Sequence, residues 1–258
     1  MQWMTLFQKE MLENWRNKKW IWVPLVFILL AIMDPLTTYY MPQILDAVGG
    51  LPEGAILEFP DFSTGEVIMM SLSQLSSLGV LIIVLISMAV IAGERKSGVS
   101  ELILVKPVSY SNYITAKWTA LLLLVLVSFT VGMLGSWYYI NILFGELSFK
   151  EFLSIVVFYG SWLTLVVSVS IFYNTLVKTP GLVAFLSILT IMSMSAITQV
   201  FNHVLEWSPN NISSYILVML ESGEIPSELI GATVVAIVLS IGLLIGSVFV
   251  FQSKELAN

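Results

Sequence analysis

The sequence predicts an all-α polytopic membrane protein: a bundle of six transmembrane helices with N and C termini in the cytoplasm and an amphipathic N-terminal interfacial helix. Three observations lead there. The 258 residues are 57% hydrophobic and 11% charged, against about 25% charged for a soluble domain, and the mean hydropathy is +0.91. The apolar residues fall in blocks of bilayer length instead of being scattered. The basic residues fall almost wholly on one side of a six-crossing arrangement. The balance of 11 basic and 17 acidic side chains, net −6, leaves no basic footprint for nucleic acid. No cysteine is present, which removes disulfides, thiolate metal sites and cysteine nucleophiles.

Residues 1–19 carry Lys9, Glu10, Glu13, Arg16, Lys18 and Lys19. They do not resemble the short basic start, apolar stretch and small-residue cleavage site of a secretory signal. The first apolar block is therefore expected to stay as an anchor. At helical spacing Trp3, Phe7, Met11 and Trp15 form an i,i+4 row flanked by Met4 and Leu12, with Lys9, Glu13 and Arg16 on the other side. Such a helix lies in the headgroup layer; the alternative is an extension of the first span into water.

A spanning helix needs roughly 20 mostly apolar residues, and six blocks qualify: 20–40, 67–92, 118–144, 152–176, 181–204 and 229–251. The short alternating segments of a β-barrel are absent. Residues 1–258 read as a single membrane domain, with the bundle over 20–251 and no internal repeat. Asp34-Pro35 sits in the outer part of the first block, where Asp before Pro suits a helix N-cap better than an intramembrane proton or cation site. The loop 41–66 is acidic and rich in Gly and Pro. Segment 205–228 contains 212–220, apolar but too short to span. It reads as a re-entrant helix covered by protein or as an ordinary surface helix. Gly242 and Gly246 form a GxxxG in the sixth block, whose ordinary meaning is close helix packing.

Orientation follows from the positive-inside rule. With the N-terminus inside, Lys9, Arg16, Lys18, Lys19, Arg95, Lys96, Lys106, Lys117, Lys178 and Lys254 are all cytoplasmic, and of the 11 basic residues only Lys150 is outside. An odd number of spans would put basic clusters on both sides.

The segment between the second and third spans is the most informative. It runs Gly93-Glu94-Arg95-Lys96-Ser97-Gly98-Val99-Ser100-Glu101-Leu102-Ile103-Leu104-Val105-Lys106-Pro107-Val108-Ser109. A charged cluster ends the span. Gly98 permits a reversal, because glycine accepts positive φ. Residues 100–106 then offer a short apolar helix that Pro107 stops, and Ser109 or Ser111 can cap the next helix. The plain reading is a loop held by anionic lipid. The sharper one is a docking helix, with Glu94 and Glu101, which anionic lipid would repel, pairing with basic groups on a partner.

Glu94-Arg95-Lys96-Ser97-Gly98, Glu101-Leu102-Ile103-Leu104, Pro107-Val108-Ser109, Tyr113-Ile114 and Lys117 together resemble the intracellular loop of ABC-2 type transporter permeases. The chain departs from that pattern at Val99, where Thr is usual, and at Tyr110, where Arg is common. The layout of N-terminal helix, six spans and long last outer loop is similar throughout; the residue-level likeness covers 93–117. The resemblance implies a permease subunit in a bacterial plasma membrane, exporting a substrate. It implies pairing with a second permease as a homodimer or heterodimer, driven by a separate ATP-binding cassette ATPase. Glu94, Arg95, Gly98, Glu101, Leu102, Ile103, Lys106 and Pro107 would couple to that ATPase. No Gly-x4-Gly-Lys-(Ser/Thr) motif and no Gly-Lys pair occurs in the sequence, so ATP and magnesium are expected on the partner and no cofactor on this chain.

The same resemblance implies that the second and fifth spans line the substrate path. Those spans carry Ser71, Ser73, Gln74, Ser76 and Ser77, and Ser187, Ser195, Thr198, Gln199 and Asn202. Any single serine more often bonds its own backbone or a neighbouring helix. The path reading therefore rests on Gln74, Gln199 and Asn202 as a group. His203 is the only histidine, which with no cysteine speaks against zinc. A membrane-embedded enzyme is disfavoured because no H-E-x-x-H and no Ser-His couple is found. A carrier or channel working alone is the main rival; inverted repeats, broken helices or buried charges would mark it.

Overall fold

The computed structural model describes residues 2–48, 60–99 and 108–255. In chain order the elements are α1 (Gln2–Arg16), α2 (Lys19–Val48), α3 (Thr64–Gln74), a π-helical segment (Leu75–Gly79), α4 (Val80–Ser87), α5 (Ala92–Lys96), α6 (Tyr110–Leu143), α7 (Phe149–Leu176), α8 (Pro180–Val200), a 3₁₀ turn (Pro209–Asn211), α9 (Ile212–Ser222) and α10 (Ser227–Glu255). Among the described residues, six stretches are long and apolar enough to cross a membrane: Lys19–Val48, Thr64–Lys96, Tyr110–Leu143, Phe149–Leu176, Pro180–Val200 and Ser227–Lys254. They correspond one to one with the six apolar blocks, and no strand occurs among the described residues.

Local chemistry sets the ends. Ser63 with Glu66, and Ser148 with Glu151, form capping boxes at the starts of α3 and α7. In each, two orphan backbone donors are satisfied reciprocally. Ser109 caps α6 by accepting from the Asn112 amide at 3.2 Å. The third span therefore starts two turns before the apolar block at 118, and Lys117 lies inside it. Gly223, at φ 74°, ends α9 in the left-handed conformation.

The N-cap reading of Asp34 is not what forms. α2 runs unbroken through Pro24, Pro35 and Pro42, and the Asp34 carboxylate accepts from Gln74 Nε2 at 3.3 Å. The proline is tolerated because its missing N–H is replaced. Pro35 leaves the Ala31 carbonyl without its helical donor. Ser71 Oγ from α3 fills the vacancy at 2.8 Å, as neighbouring helices must where water is absent.

α7 is the most enclosed span, with 78% of its most apolar 18-residue window buried; α8 and α10, at 22% each, lie on the periphery. α7 packs against α6, α8, α10 and the α4 segment. α8 and α10 turn Phe185, Leu189, Val234, Val238, Ile245 and Phe249 outward, the apolar surface that lipid requires. α2 lies along α6. Gly132 permits that approach: a Cβ there would meet the Phe27 carbonyl oxygen at 2.8 Å. The GxxxG of α10 makes no such contact within this chain, since a Cβ at Gly242 meets nothing within 4 Å and one at Gly246 only the Phe172 ring at 3.4 Å. Gly132→Ala is therefore expected to push α2 off α6 and cost about 1–3 kcal/mol, whereas Gly242→Ala leaves stability unchanged. Tryptophan-fluorescence melting of both variants in one detergent checks this.

α1 and the last turn of α10 lie at one end of the bundle, where Lys9 of α1 pairs with Glu94 of α5 at 2.7 Å and Lys254 of α10 donates to the Leu176 carbonyl. At the opposite end α9 buries Ile212, Ile216 and Met219 against α3, α7 and α10. The apolar stretch 212–220 is thus a short helix covered on one face by protein.

Candidate functional site

Two polar regions stand out, one at each end of the bundle. The first begins with α1. The apolar row Trp3, Phe7, Met11 and Trp15 is not the face that α1 buries most deeply. Its buried residues are Glu10 and Asn14, each 8% exposed, while Met4, Leu12 and Trp15 face outward. Trp3 and Phe7 flank the buried face, stacked on each other at 5.3 Å, and Trp3 Nε1 donates to Thr115 Oγ1 of α6 at 3.1 Å. α1 therefore presents three faces: one to the bundle, centred on Glu10, one apolar and one charged.

Glu10 is buried because Lys117, 2% exposed, waits for it. The Lys117 ammonium lies 2.8 Å from Glu10 Oε1 and 2.9 Å from Glu94 Oε1. Lys9 Nζ reaches the same oxygens, at 3.0 Å and 2.7 Å, and Glu13 at 3.5 Å. Tyr113 donates its hydroxyl to Glu94 Oε2 at 2.5 Å. Two cations and two carboxylates thus alternate between α1, α5 and α6, the paired and hydrogen-bonded arrangement that buried charge demands. Burial alone would push the Lys9 ammonium down, but its hydrogen bond to Glu94 and the charges of Glu10 and Glu94 outweigh that and hold its pKa above the ordinary lysine value.

The second span is broken just before α5, with turns at residues 88–91 between α4 and α5. A break inside a bilayer strands backbone groups, and Asn174 of α7 collects them. Its Oδ1 accepts from the amides of Ile91 and Ala92 at 3.1 and 3.0 Å. Its Nδ2 donates to the Ser87 carbonyl at 3.0 Å and to its own turn at Ser170. Beside it the Ser87 and Ser170 hydroxyls meet at 2.6 Å. Arg95 Nη1 donates to the Thr175 carbonyl at 2.8 Å, and its guanidinium lies 5.3 Å from the centre of the Phe251 ring, which also stacks on Tyr113. Through Ala92, Glu94 and Arg95 the short helix α5 is in this way tied to α1, α6, α7 and α10. Gly98 follows with φ 77°, the positive φ that glycine accepts.

Of the coupling residues expected from sequence, Glu94 and Arg95 are turned into the chain and engaged by it, not presented at a surface for a partner. Glu101, Leu102, Ile103, Lys106 and Pro107 lie outside the described residues, as does the segment 100–106. Lys9, Glu10, Tyr113 and Asn174 were not singled out as a site by the sequence. Lys117 was noted only as the residue opening a span. The available signal was an asparagine inside the fourth apolar block and a lysine two turns into a helix that Ser109 starts.

The second region is a cavity of about 490 Å³ between the α3–π segment, α7, α8 and the 3₁₀ turn that leads into α9. Ser73, Ser76, Ser195, Gln199, Asn210 and Ser213 supply its polar lining, and Tyr159 and Trp162 one aromatic wall. The π segment opens the helix at this point, with the Val80 amide bonding back to Leu75; such segments are frequent at functional sites. Ser76 meets Tyr159 Oη at 2.6 Å. The structure does not bring Gln74, Gln199 and Asn202 together. Gln199 lines the cavity, Gln74 is paired with Asp34, and Asn202 accepts from Asn211 at 3.1 Å.

Comparison with known proteins agrees with the architecture. The family described as ABC-2 family transporter protein matches residues 4–216 of this chain. The uncharacterized transmembrane protein YxlG of Bacillus subtilis (strain 168) is similar: 33% identical over 221 residues, spanning 86% of this chain and 86% of that one.

Proposed function

This chain belongs to the ABC-2 family of transporter membrane proteins, and from that premise we propose that it is the permease subunit of an exporter whose ATP-hydrolysing cassette is a separate polypeptide. In this reading two permeases pair in a bacterial plasma membrane with both termini in the cytoplasm. The asymmetry of the basic residues supports that orientation, because all but Lys150 belong to the N-terminal helix, the 93–117 loop, the 176–181 turn or the C-terminus.

One observation carries the mechanism. The span Thr64–Lys96 holds Glu94 of the charge network near one end and Ser73 and Ser76 of the cavity towards the other. A force applied by an ATPase to α1 or to the loop after Gly98 reaches α5 and, across the clasped break at 88–91, the part of the same span that walls the cavity. Glu94 and Arg95 act as positioning residues in this scheme, transmitting through contacts within the chain, while Glu101, Leu102, Ile103, Lys106 and Pro107 meet the cassette. Magnesium and ATP reside on the partner.

The test is copurification of an ATPase with the tagged chain from its native host, followed by ATPase assay in nanodiscs. Gly98→Val is the informative variant. A Cβ there meets nothing within 4 Å, so its effect is confined to the left-handed backbone, where a β-branched residue is strained. The variant is expected to insert and melt like the wild type, yet lose most of the substrate-stimulated ATPase activity. Absence of any copurifying ATPase, or normal stimulation in Gly98→Val, would favour a carrier working alone.

A further inference from the structure

The cavity is uncharged. None of the described residues that line it is an Asp, Glu, Lys, Arg or His, and burial of Tyr159 keeps its phenol neutral. Its polarity comes from hydroxyls and carboxamides, and four of these are unspent. Ser73, Ser195, Gln199 and Ser213 face the cavity, and their side chains meet no hydrogen-bond partner among the described residues. Buried serines of the bundle such as Ser128, Ser187 and Ser240 are satisfied locally by carbonyls four residues back. Ser73 and Gln199 are exposed at the cavity and Ser195 and Ser213 are half-buried in it. Four converging on one space therefore describe a hydrogen-bonding surface awaiting an occupant. The apolar, polarisable part of the lining is formed by Trp162, Met192 and Ile191. The volume, about 490 Å³, is that of a small-molecule site.

We propose that this cavity binds an uncharged amphiphile. Its hydroxyl- or amide-bearing head is held by Ser73, Ser195, Gln199 and Ser213, and its apolar part lies on Trp162 and Met192. The proposal rests on the permease reading and supplies the substrate class for it. The physical reason is desolvation. An ionic head entering this space gives up its hydration and finds no counter-charge on the walls. A neutral head exchanges water for four donors and acceptors that otherwise go without protein partners. Alkyl glycosides are the simplest molecules of this class.

The natural absence of cysteine makes a direct test available. Ser195→Cys introduces a single thiol into the cavity and Ser222→Cys one outside it. Each variant, in phosphatidylcholine nanodiscs, is labelled with a membrane-permeant maleimide in the presence of octyl glucoside, octyltrimethylammonium or octyl sulfate. These three probes share a tail and differ in head. Octyl glucoside is expected to slow labelling of Ser195→Cys at concentrations about tenfold below either ionic probe, and none should slow Ser222→Cys selectively. Adding Gln199→Glu places a charge on the wall and should reverse the order in favour of octyltrimethylammonium. Equal protection by all three probes, or better protection by an ion in the Gln199 protein, overturns the substrate class and leaves the permease reading intact. Protection by none overturns the site itself. The permease reading is decided independently by whether an ATPase copurifies.

Discussion

Lys117→Met is expected to destabilise the protein by about 3–5 kcal/mol, the range for stripping one partner from a buried ion pair. Methionine fills the volume of the lysine stem but leaves Glu10 and Glu94 facing each other with the cation between them gone. Lys9 still touches both oxygens, yet it is half-exposed and cannot occupy the buried position. The carboxylates then separate, and the cheapest way is for α1 to lift from α6. Two measurements follow it: the fluorescence melting temperature, and disulfide formation in a Trp3→Cys/Thr115→Cys pair, which reports α1 docking at the contact seen here. Glu94→Gln combined with Lys117→Met should lie closer to wild type than Lys117→Met alone, because it removes the uncompensated charge. A double variant that is simply the sum of its parts would show that the network carries no coupling. Lys9 sets the pH dependence. Its folded pKa is raised from 10.5, so its contribution is complete below the ordinary lysine value and is lost only as pH climbs past the folded one. Docking of α1 should therefore be indifferent to pH between neutrality and about 10 as far as Lys9 is concerned.

Asn174→Leu is expected to open the break in the second span. Leucine matches asparagine in size but leaves the Ile91 and Ala92 amides and the Ser87 carbonyl without their side-chain partner in a dry core. Each buried unsatisfied group costs roughly 1–3 kcal/mol. The loss has two outlets: global destabilisation, or local release of α5. The second is favoured because α5 is a separate five-residue helix whose other anchors are side chains. Hydrogen exchange separates the outlets. Peptides covering 88–96 should exchange about 10- to 100-fold faster, while those from α2 and α6 change little. Ser87→Ala serves as the control, since it deletes the hydroxyl contact to Ser170 and leaves the backbone clasp in place. Uniform acceleration across the bundle in Asn174→Leu would mean that the asparagine is a general core residue and not the latch of α5.

The six spans were legible because a bilayer imposes one requirement along the chain, an unbroken apolar length, and that requirement is local. Gly98 was legible for a related reason: a glycine after a charged cluster and before an apolar run marks a reversal, and it does take positive φ. Reading failed where a residue's environment comes from another helix. Asp34-Pro35 has the local form of a cap, but Ser71 supplies the donor that Pro35 lacks and the helix continues. Gly242 and Gly246 have the form of a packing motif, but the close approach occurs at Gly132, which no motif marks. Of Gln74, Gln199 and Asn202, alike in polarity, only Gln199 lines the cavity; Asp34 engages Gln74 and Asn211 engages Asn202.

Segment 1–19 shows the division most clearly. Periodicity established that it is a helix with an apolar row, since spacing at 3.6 residues per turn is contained in the sequence. Which face turns inward was settled by Lys117, more than a hundred residues away, because a buried ammonium needs carboxylates and Glu10 is the one that α1 can deliver. The sequence by itself determined the membrane, the number of spans and the resemblance to a transporter family. The tertiary structure decided which charges are spent inside the chain, which hydroxyls are left unpaired in the cavity, and where the second span is broken and clasped. Hydrophobic length is additive along a chain and can be read one residue at a time, whereas an ion pair or a hydrogen bond exists only between two groups that the fold has brought together.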